Sequence, residues 1–272
     1  LKTILGKTVR HKSKILVKWT VGAIITASGA LAIWYFYISG YFAEGNDSVY
    51  SVENTPVLKS SPLEGKTLFF LGSSVTAGFA AREESFADYI AKRNNCIIGK
   101  EAKGATVMMD NGQNSYVERI KKLDTKAKVD IFICQLSTND TRYNGLKKIG
   151  RISQSTNIQD LDRETTVGAI EYIIAYAKKT WNCPVVFYTN SYFEDKYYST
   201  VIKKLYDVQK KWDISIIDLY NNEKFNNISE DQMKLYMLSD HVHPHRSGYK
   251  LWWTPEIEKH LYKIVNPSGN WP

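Results

Sequence analysis

From Lys66 onward, short runs rich in β-branched and aromatic residues alternate with longer stretches whose apolar residues recur every three or four positions. The runs are TLFFLG (67–72), CIIG (96–99), DIFICQLS (130–137), PVVFYTN (184–190) and ISIIDLY (214–220). Between them lie ESFADYIAKRN, SYVERIKKLDTKA, RETTVGAIEYIIAYAKKTW and YSTVIKKLYDVQKKW, and a last helical pattern runs from about Gly248 to Val265. In the third of these stretches Ile170, Ile173, Ile174 and Ala177 form one stripe, as expected of a helix facing a core. Unbroken apolar strands separated by helices predict an α/β protein, a three-layer α/β/α sandwich around a five-stranded parallel sheet. In such sheets the working groups collect in loops beyond the carboxyl ends of the strands, so a site is to be sought there.

Ahead of this domain the pattern is different. No charged residue occurs from Trp19 to Ala43, a run long enough as a helix, at about 1.5 Å per residue, to cross a hydrocarbon core of roughly 30 Å. Trp19 at one end and Trp34, Tyr35, Tyr37 and Tyr41 toward the other resemble interfacial aromatic belts. Ala30 and Ala32 offer the small-residue spacing of a cleavable signal peptide, but the apolar run continues well past them, which favours an uncleaved anchor. The expected organisation is therefore a basic cytoplasmic tail (1–18), a transmembrane signal-anchor helix (19–43), a polar linker (44–65), the α/β domain (66–265) and a short C-terminal tail (266–272).

The formal charge of +8 suggests a nucleic-acid or acidic partner until its distribution is considered. Residues 1–18 hold Lys2, Lys7, Arg10, Lys12, Lys14 and Lys18 with no acid, and without them 30 basic residues face 28 acidic ones. By the positive-inside rule this cluster places the N-terminus in the cytoplasm and the domain outside it, at the cell membrane, and support for nucleic-acid binding disappears. Cys96, Cys134 and Cys183 form no C-x-x-C pair, so neither a zinc nor a redox motif is indicated, and buried free thiols are expected.

Three strand ends carry candidate chemistry. The first strand ends in LGSSVTAGFA, which presents Ser74 at a turn into a helix, where free N–H groups favour developing negative charge; such turns also serve as simple caps or phosphate cradles. KGAT places Gly104 after the second strand, where a residue lacking a side chain lets its backbone N–H approach a substrate. The third strand ends in QLSTNDTRYN, where Asn139 could donate to an oxyanion or could, with Asp140, be plain turn chemistry. Near the C-terminus, DHVHPH sets Asp240 three residues before His243. That spacing lets the carboxylate meet one imidazole nitrogen and leaves the other for a serine hydroxyl, which is a poor nucleophile without such a base.

The ordered blocks GSSVTAG, KGAT, STND and DHVHP resemble the four signature blocks of the SGNH (GDSL-type) hydrolase family, over nearly all of the chain from Lys66 to about Val265. The resemblance implies a flavodoxin-like α/β/α sandwich and a catalytic set of Ser74 as nucleophile, His243 as base and Asp240 as its orienting carboxylate. It also implies an oxyanion hole made by Gly104, Asn139 and the Ser74 backbone N–H. Two positions depart from the family pattern: Ser73 stands where the family usually has Asp, and Ser137 replaces the glycine that opens the third block.

The expected activity is that of a serine esterase on a small-molecule or glycan ester, an O-acyl group of cell-envelope carbohydrate among them. O-acyl transfer to a glycan acceptor and a non-catalytic glycan-binding or scaffold domain are the alternatives. No cofactor is called for. Alternate histidines could in principle hold a metal, yet only His11 and His260 lie elsewhere, so no metal site is expected, and His241 and His245 are expected to be partly exposed turn residues. The long connection from Thr141 to Leu161 borders the site, and Arg142 and Tyr143 are its first candidates for substrate contact.

Overall fold

The computed structural model describes residue 34 and residues 36–112 and 114–269. Most of the span expected over 19–43, residues 19–33 and 35, lies outside these, and among the described residues no helix is long and apolar enough to cross a membrane. The chain divides into two units, Leu1–Phe42 and Ala43–Pro272. The second contains the sheet.

Five strands, β1 (Thr67–Gly72), β2 (Ile97–Ala102), β3 (Ile131–Gln135), β4 (Val185–Tyr188) and β5 (Ser215–Ile217), pair in the order β2-β1-β3-β4-β5, every neighbour parallel. The chain starts at β1, moves outward to β2 and returns across β1 to β3, so the loops after β1 and β3 leave in opposite directions and open a crevice between them. The cause of the three layers is visible in each strand, where successive residues serve opposite faces. Leu68 and Phe70 of β1, Ile131 and Ile133 of β3, and Val186 and Tyr188 of β4 pack under α2 (Phe86–Asn94) and the C-terminal helix. Leu71, Phe132, Cys134, Val185 and Phe187 pack on the other face. There they meet α3 (Tyr116–Ile120), α5 (Thr166–Trp181) and α6 (Lys196–Trp212).

Local signals set the helix ends. Ser85 and Asp88 form a capping box on α2, Thr165 caps α5 by accepting from Gly168 N–H, and Asp195 caps α6 by accepting from Tyr197 and Tyr198. The helix expected over 115–127 stops at Ile120, because only Leu123 continues its apolar stripe before Asp124 turns the chain. The connection after β3 is less open than expected. It forms α4 (Asn139–Asn144) and two 3₁₀ turns, and it buries Ile149 and Leu161 in the core.

The segment read as a linker (44–65) belongs to the folded domain. It forms 3₁₀ turns at Glu44–Asn46 and Ser48–Tyr50, buries Leu63 completely, donates from Val52 N–H to Glu84, and offers the Tyr50 carbonyl to the Tyr89 hydroxyl. Its polarity misled because these polar groups bond to the protein rather than to water.

α5 carries a fully buried carboxylate, Glu171, which accepts from Lys211 Nζ at 2.5 Å, Trp212 Nε1 at 2.8 Å and Ser153 N–H at 2.8 Å, tying α6 and the loop at 153 to α5. Removing the cation alone leaves a buried charge without its counterion. Lys211→Met is expected to lower unfolding free energy by about 3 to 5 kcal/mol, and the double change Glu171→Met/Lys211→Met by clearly less, as measured by urea unfolding. Equal losses in the two variants would refute this account of the pair.

Candidate active site

The three expected catalytic side chains meet at the carboxyl edge of the sheet. Ser74 Oγ lies 2.7 Å from His243 Nε2, and His243 Nδ1 lies 2.6 Å from Asp240 Oδ2. A carboxylate accepts, so Nδ1 carries the proton it donates to Asp240, and Nε2 is left as the acceptor for the serine hydroxyl. Ser74 is 8% exposed and the His243 side chain 16%, whereas the Asp240 side chain is 40% exposed, so the site is buried at the nucleophile and open at its rim.

The turn that presents Ser74 is held from below. β1 ends at Gly72, where a Cβ would fall 1.7 Å from Thr76 Oγ1, so only glycine lets the chain fold back so tightly into α1 (Ser74–Ala77). Gln135, the last residue of β3 and almost fully buried, accepts at one oxygen from Ser73 N–H at 2.8 Å, Ser73 Oγ at 3.3 Å and Thr76 Oγ1 at 2.7 Å. Ser73, the departure from the family pattern, thus contributes its hydroxyl to the anchor of the turn. Tyr188 completes the chain, its hydroxyl 2.5 Å from Thr76 Oγ1.

His243 is fixed on three sides. Asp240 Oδ1 accepts from Val242 N–H at 2.9 Å and His243 N–H at 3.1 Å, which wraps the loop around the carboxylate. Asn190 Nδ2, beyond β4, donates to the Val242 carbonyl at 3.2 Å, and the Phe79 ring stands edge-on to the imidazole with centroids 5.2 Å apart. Burial pushes the Asp240 carboxyl up, but the hydrogen bond and charge of His243, together with the two backbone N–H groups, outweigh it and hold the carboxyl below its ordinary value. Asp240 therefore stays ionised at neutral pH.

Of the two remaining oxyanion candidates, Gly104 stands beside the serine. A methyl built on Gly104 would lie 3.9 Å from Ser74 Cβ. Asn139 opens α4, is 7% exposed, and donates from Nδ2 to the Thr106 carbonyl at 3.0 Å. Ser137, the other departure, accepts from Asn139 N–H at 3.1 Å. Asp140, read from sequence as part of a turn, is buried and accepts from Met108 and Met109 N–H, which pins the loop carrying Gly104 to the start of α4. Burial pushes its carboxyl up against those hydrogen bonds. Arg119 is also buried and joins the same parts. It donates to the Gly72 carbonyl at 2.7 Å, to Thr106 Oγ1 at 3.1 Å and to the Glu101 carbonyl at 3.0 Å. Arg142 and Tyr143 lie in α4, with Arg142 exposed.

The outer two histidines of the cluster part company. His241 is exposed and takes a positive φ of 57° at the tip of the turn. His245, expected at the surface, is only 4% exposed, because the chain after Pro244 dives under Leu235, whose carbonyl accepts from His245 Nδ1 at 3.1 Å. Its Nε2 is buried with no hydrogen-bond partner among the described residues. Of the cysteines, all free, Cys134 and Cys183 are buried as expected and Cys96 is partly exposed.

Sequence missed Gln135, Asn190, Arg119 and Asp140 as supports of the site. All four lie at or just past a strand end or in a neighbouring helix. A polar residue closing an apolar strand, as Gln135 does after IFIC, was the available signal.

The family profile described as GDSL-like Lipase/Acylhydrolase matches residues 68–253. No curated protein matches the chain in sequence. Solved structures share the fold. A protein from Lactobacillus plantarum is 14% identical, with a TM-score of 0.58 over 76% of this chain and 99% of that one. A member of the lipolytic protein G-D-S-L family from Veillonella parvula is 14% identical, with a TM-score of 0.52 over 72% and 97%. The acetyl xylan esterase AlAXEase is 13% identical, with a TM-score of 0.53 over 72% and 99%.

Burial pushes the His245 imidazole below its ordinary value, against the raising effect of the Leu235 carbonyl and of Asp240. The folded state thus resists a proton that the unfolded chain accepts near about pH 6.5, so the stability derived from neutral His245 is complete above that pH and is lost as pH falls below it. Burial likewise pushes the His260 imidazole down, against the raising effect of Glu256, and acts in the same direction. The urea midpoint is expected to fall between about pH 7.5 and about pH 5.5, and His245→Gln to flatten that fall; an unchanged slope in the variant would remove His245 from the account.

Proposed function

The chain belongs to the GDSL-like lipase/acylhydrolase family, and from that membership and the geometry of the crevice we propose that it hydrolyses esters through an acyl-enzyme on Ser74. The observation that carries the reading is the unbroken chain of contacts from Ser74 Oγ through the His243 imidazole to Asp240, at 2.7 and 2.6 Å. As Ser74 Oγ attacks the ester carbonyl carbon, its proton passes to His243 Nε2, and the Asp240 carboxylate stabilises the imidazolium that forms. The carbonyl oxygen becomes an oxyanion. It receives hydrogen bonds from the backbone N–H of Ser74 and Gly104 and from the Asn139 amide, whose contact with Thr106 uses one N–H and leaves the second for the substrate. Collapse breaks the C–O bond, and the leaving alkoxide takes the proton from His243. Water, deprotonated by the same imidazole, then attacks the acyl carbon and releases the acid with Ser74 restored.

The substrate class proposed is an O-acyl group on carbohydrate of the cell envelope. It rests on location. The charge-free run from Trp19 to Ala43 behind six basic residues supports a single-pass anchor with a cytoplasmic N-terminus, which sets the esterase domain outside, next to such polymers. Arg142 and Tyr143, on the helix that Asn139 opens, are the candidates for contact with the substrate.

Ser74→Ala is expected to cut turnover of p-nitrophenyl esters by about 10⁴-fold or more, and Asn139→Ala to lower kcat by about 10² to 10³ with a smaller change in KM. A phosphonate should label the native protein and fail to label His243→Ala. Undiminished ester turnover in Ser74→Ala would dispose of the mechanism. Assays on acetylated glycans, with and without a glycan acceptor, separate hydrolysis from transfer.

A further inference from the structure

The segment that directly follows the charge-free run, Glu44 to Thr55, contacts both loops that flank the proposed nucleophile and base, and Asn46 bonds to the two at once. Asn46 is completely buried. Its Nδ2 donates to the Ala80 carbonyl at 2.8 Å, and its Oδ1 accepts from Arg246 N–H at 3.0 Å. Ala80 follows Phe79, the ring that stands against His243, and Arg246 comes three residues after His243. A single carboxamide therefore uses both of its functions to hold the nucleophile-side loop and the base-side loop at a fixed separation.

Neighbouring contacts set the carboxamide in place. Arg246 donates to the Asn46 carbonyl at 3.4 Å and pairs with Glu84 Oε1 at 2.5 Å, while the other oxygen of Glu84 accepts from Val52 N–H at 2.9 Å. Gly45 lies in a notch so narrow that a Cβ would fall 2.0 Å from the Leu235 carbonyl oxygen and 2.8 Å from His245 Nδ1, and this close approach needs glycine. Farther along, Lys250 Nζ donates to the carbonyls of Val49 and Asn54 at 2.9 and 2.8 Å. Among the described residues, no hydrogen bond runs from the Asn46, Glu84, Arg246 or Lys250 side chain to the Ser74 or His243 side chain.

We propose that Asn46 is a positioning residue for the Ser74–His243 pair, and that it alone links the strap to the geometry of the ester-hydrolysing site. The proposal rests on the reading of Ser74 and His243 as nucleophile and base. The base sits on a loop whose shape is set from one side by Asp240 and Asn190 and from the other by the strap. Without Asn46 the Arg246 end of that loop loses a buried acceptor and Phe79 loses the tie at its neighbour. The imidazole then no longer holds the short approach to Ser74 Oγ that proton transfer requires.

The test is made in the full chain, with kcat referred to active sites titrated by a phosphonate, so that loss of folded protein does not count. Asn46→Ala is expected to lower kcat per titrated site by about tenfold to a hundredfold while KM stays within about twofold, since proton transfer rather than substrate binding is disturbed. Lys250→Met, which frees the far end of the strap and leaves the Asn46 contacts intact, is expected to keep kcat within about twofold. Should Asn46→Ala not accumulate as folded protein, Asn46→Asp takes its place. It keeps the acceptor for Arg246 N–H, loses the donor to Ala80, and is expected to lower kcat by about tenfold. Native kcat per site in the Asn46 variant, or an equal fall in Lys250→Met, overturns the proposal. A Ser74→Ala protein that still turns over ester overturns the underlying mechanism instead, so the two failures are separable.

Discussion

The structure turns on one short contact between residues far apart in the chain, Ser74 Oγ against His243 Nε2 at 2.7 Å. Neither residue can make it alone. Ser74 reaches the crevice because β1 lies at the point where strand order reverses, and His243 reaches it from the loop that leads into the last helices, which pack on the Leu68 and Phe70 face of the sheet. A parallel sheet places every strand-to-helix loop on one rim, so a site assembled from several loops follows from topology, and what remains to be set is a matter of tenths of an ångström.

That precision comes from buried polar groups. Beneath the serine, Gln135 gathers four hydrogen bonds from the nucleophile turn, and Arg119 ties the ends of β1 and β2 to Thr106. Burying a guanidinium and a carboxamide costs desolvation, offset only if their hydrogen bonds are made in one geometry. An apolar layer of equal volume could serve stability as well, but it would let the turn settle in several near-equivalent positions. Polar burial under the site therefore acts through specificity of conformation, while stability derives from the apolar faces of β1, β3 and β4.

The apolar faces were legible in the sequence because period-two and period-three-to-four patterns follow from backbone geometry. All five strands and the long helices 166–181 and 196–212 stand within a few residues of where periodicity put them. Ser74, Asp240 and His243 were legible for a different reason, since they sit in short blocks at element ends whose order matches a family pattern. The segment 44–65 was not legible, because a polar, aperiodic stretch reads the same whether its hydrogen bonds go to water or to protein. His245 was misplaced for a related reason. Histidine alternation in DHVHPH suggests one shared face, but the positive φ at His241 and the antiparallel bridge between Pro244 and Met237 break the alternation and send three imidazoles to three environments.

The strap brings these two lines together. A flexible tether makes no fixed contacts with the domain it leads into, so its composition is free as long as it stays soluble. The observed strap has no such freedom, since Gly45 fits a notch that admits no side chain and Asn46 is spent on two backbone partners. Such constraints arise where both partners of a buried carboxamide must keep their separation, and here those partners belong to the loops bearing the proposed nucleophile and base. The polar character that hid this segment in the sequence is thus the same property that lets it bridge two backbone loops, because a bridge between a carbonyl and an N–H requires one side chain able to donate and accept at once.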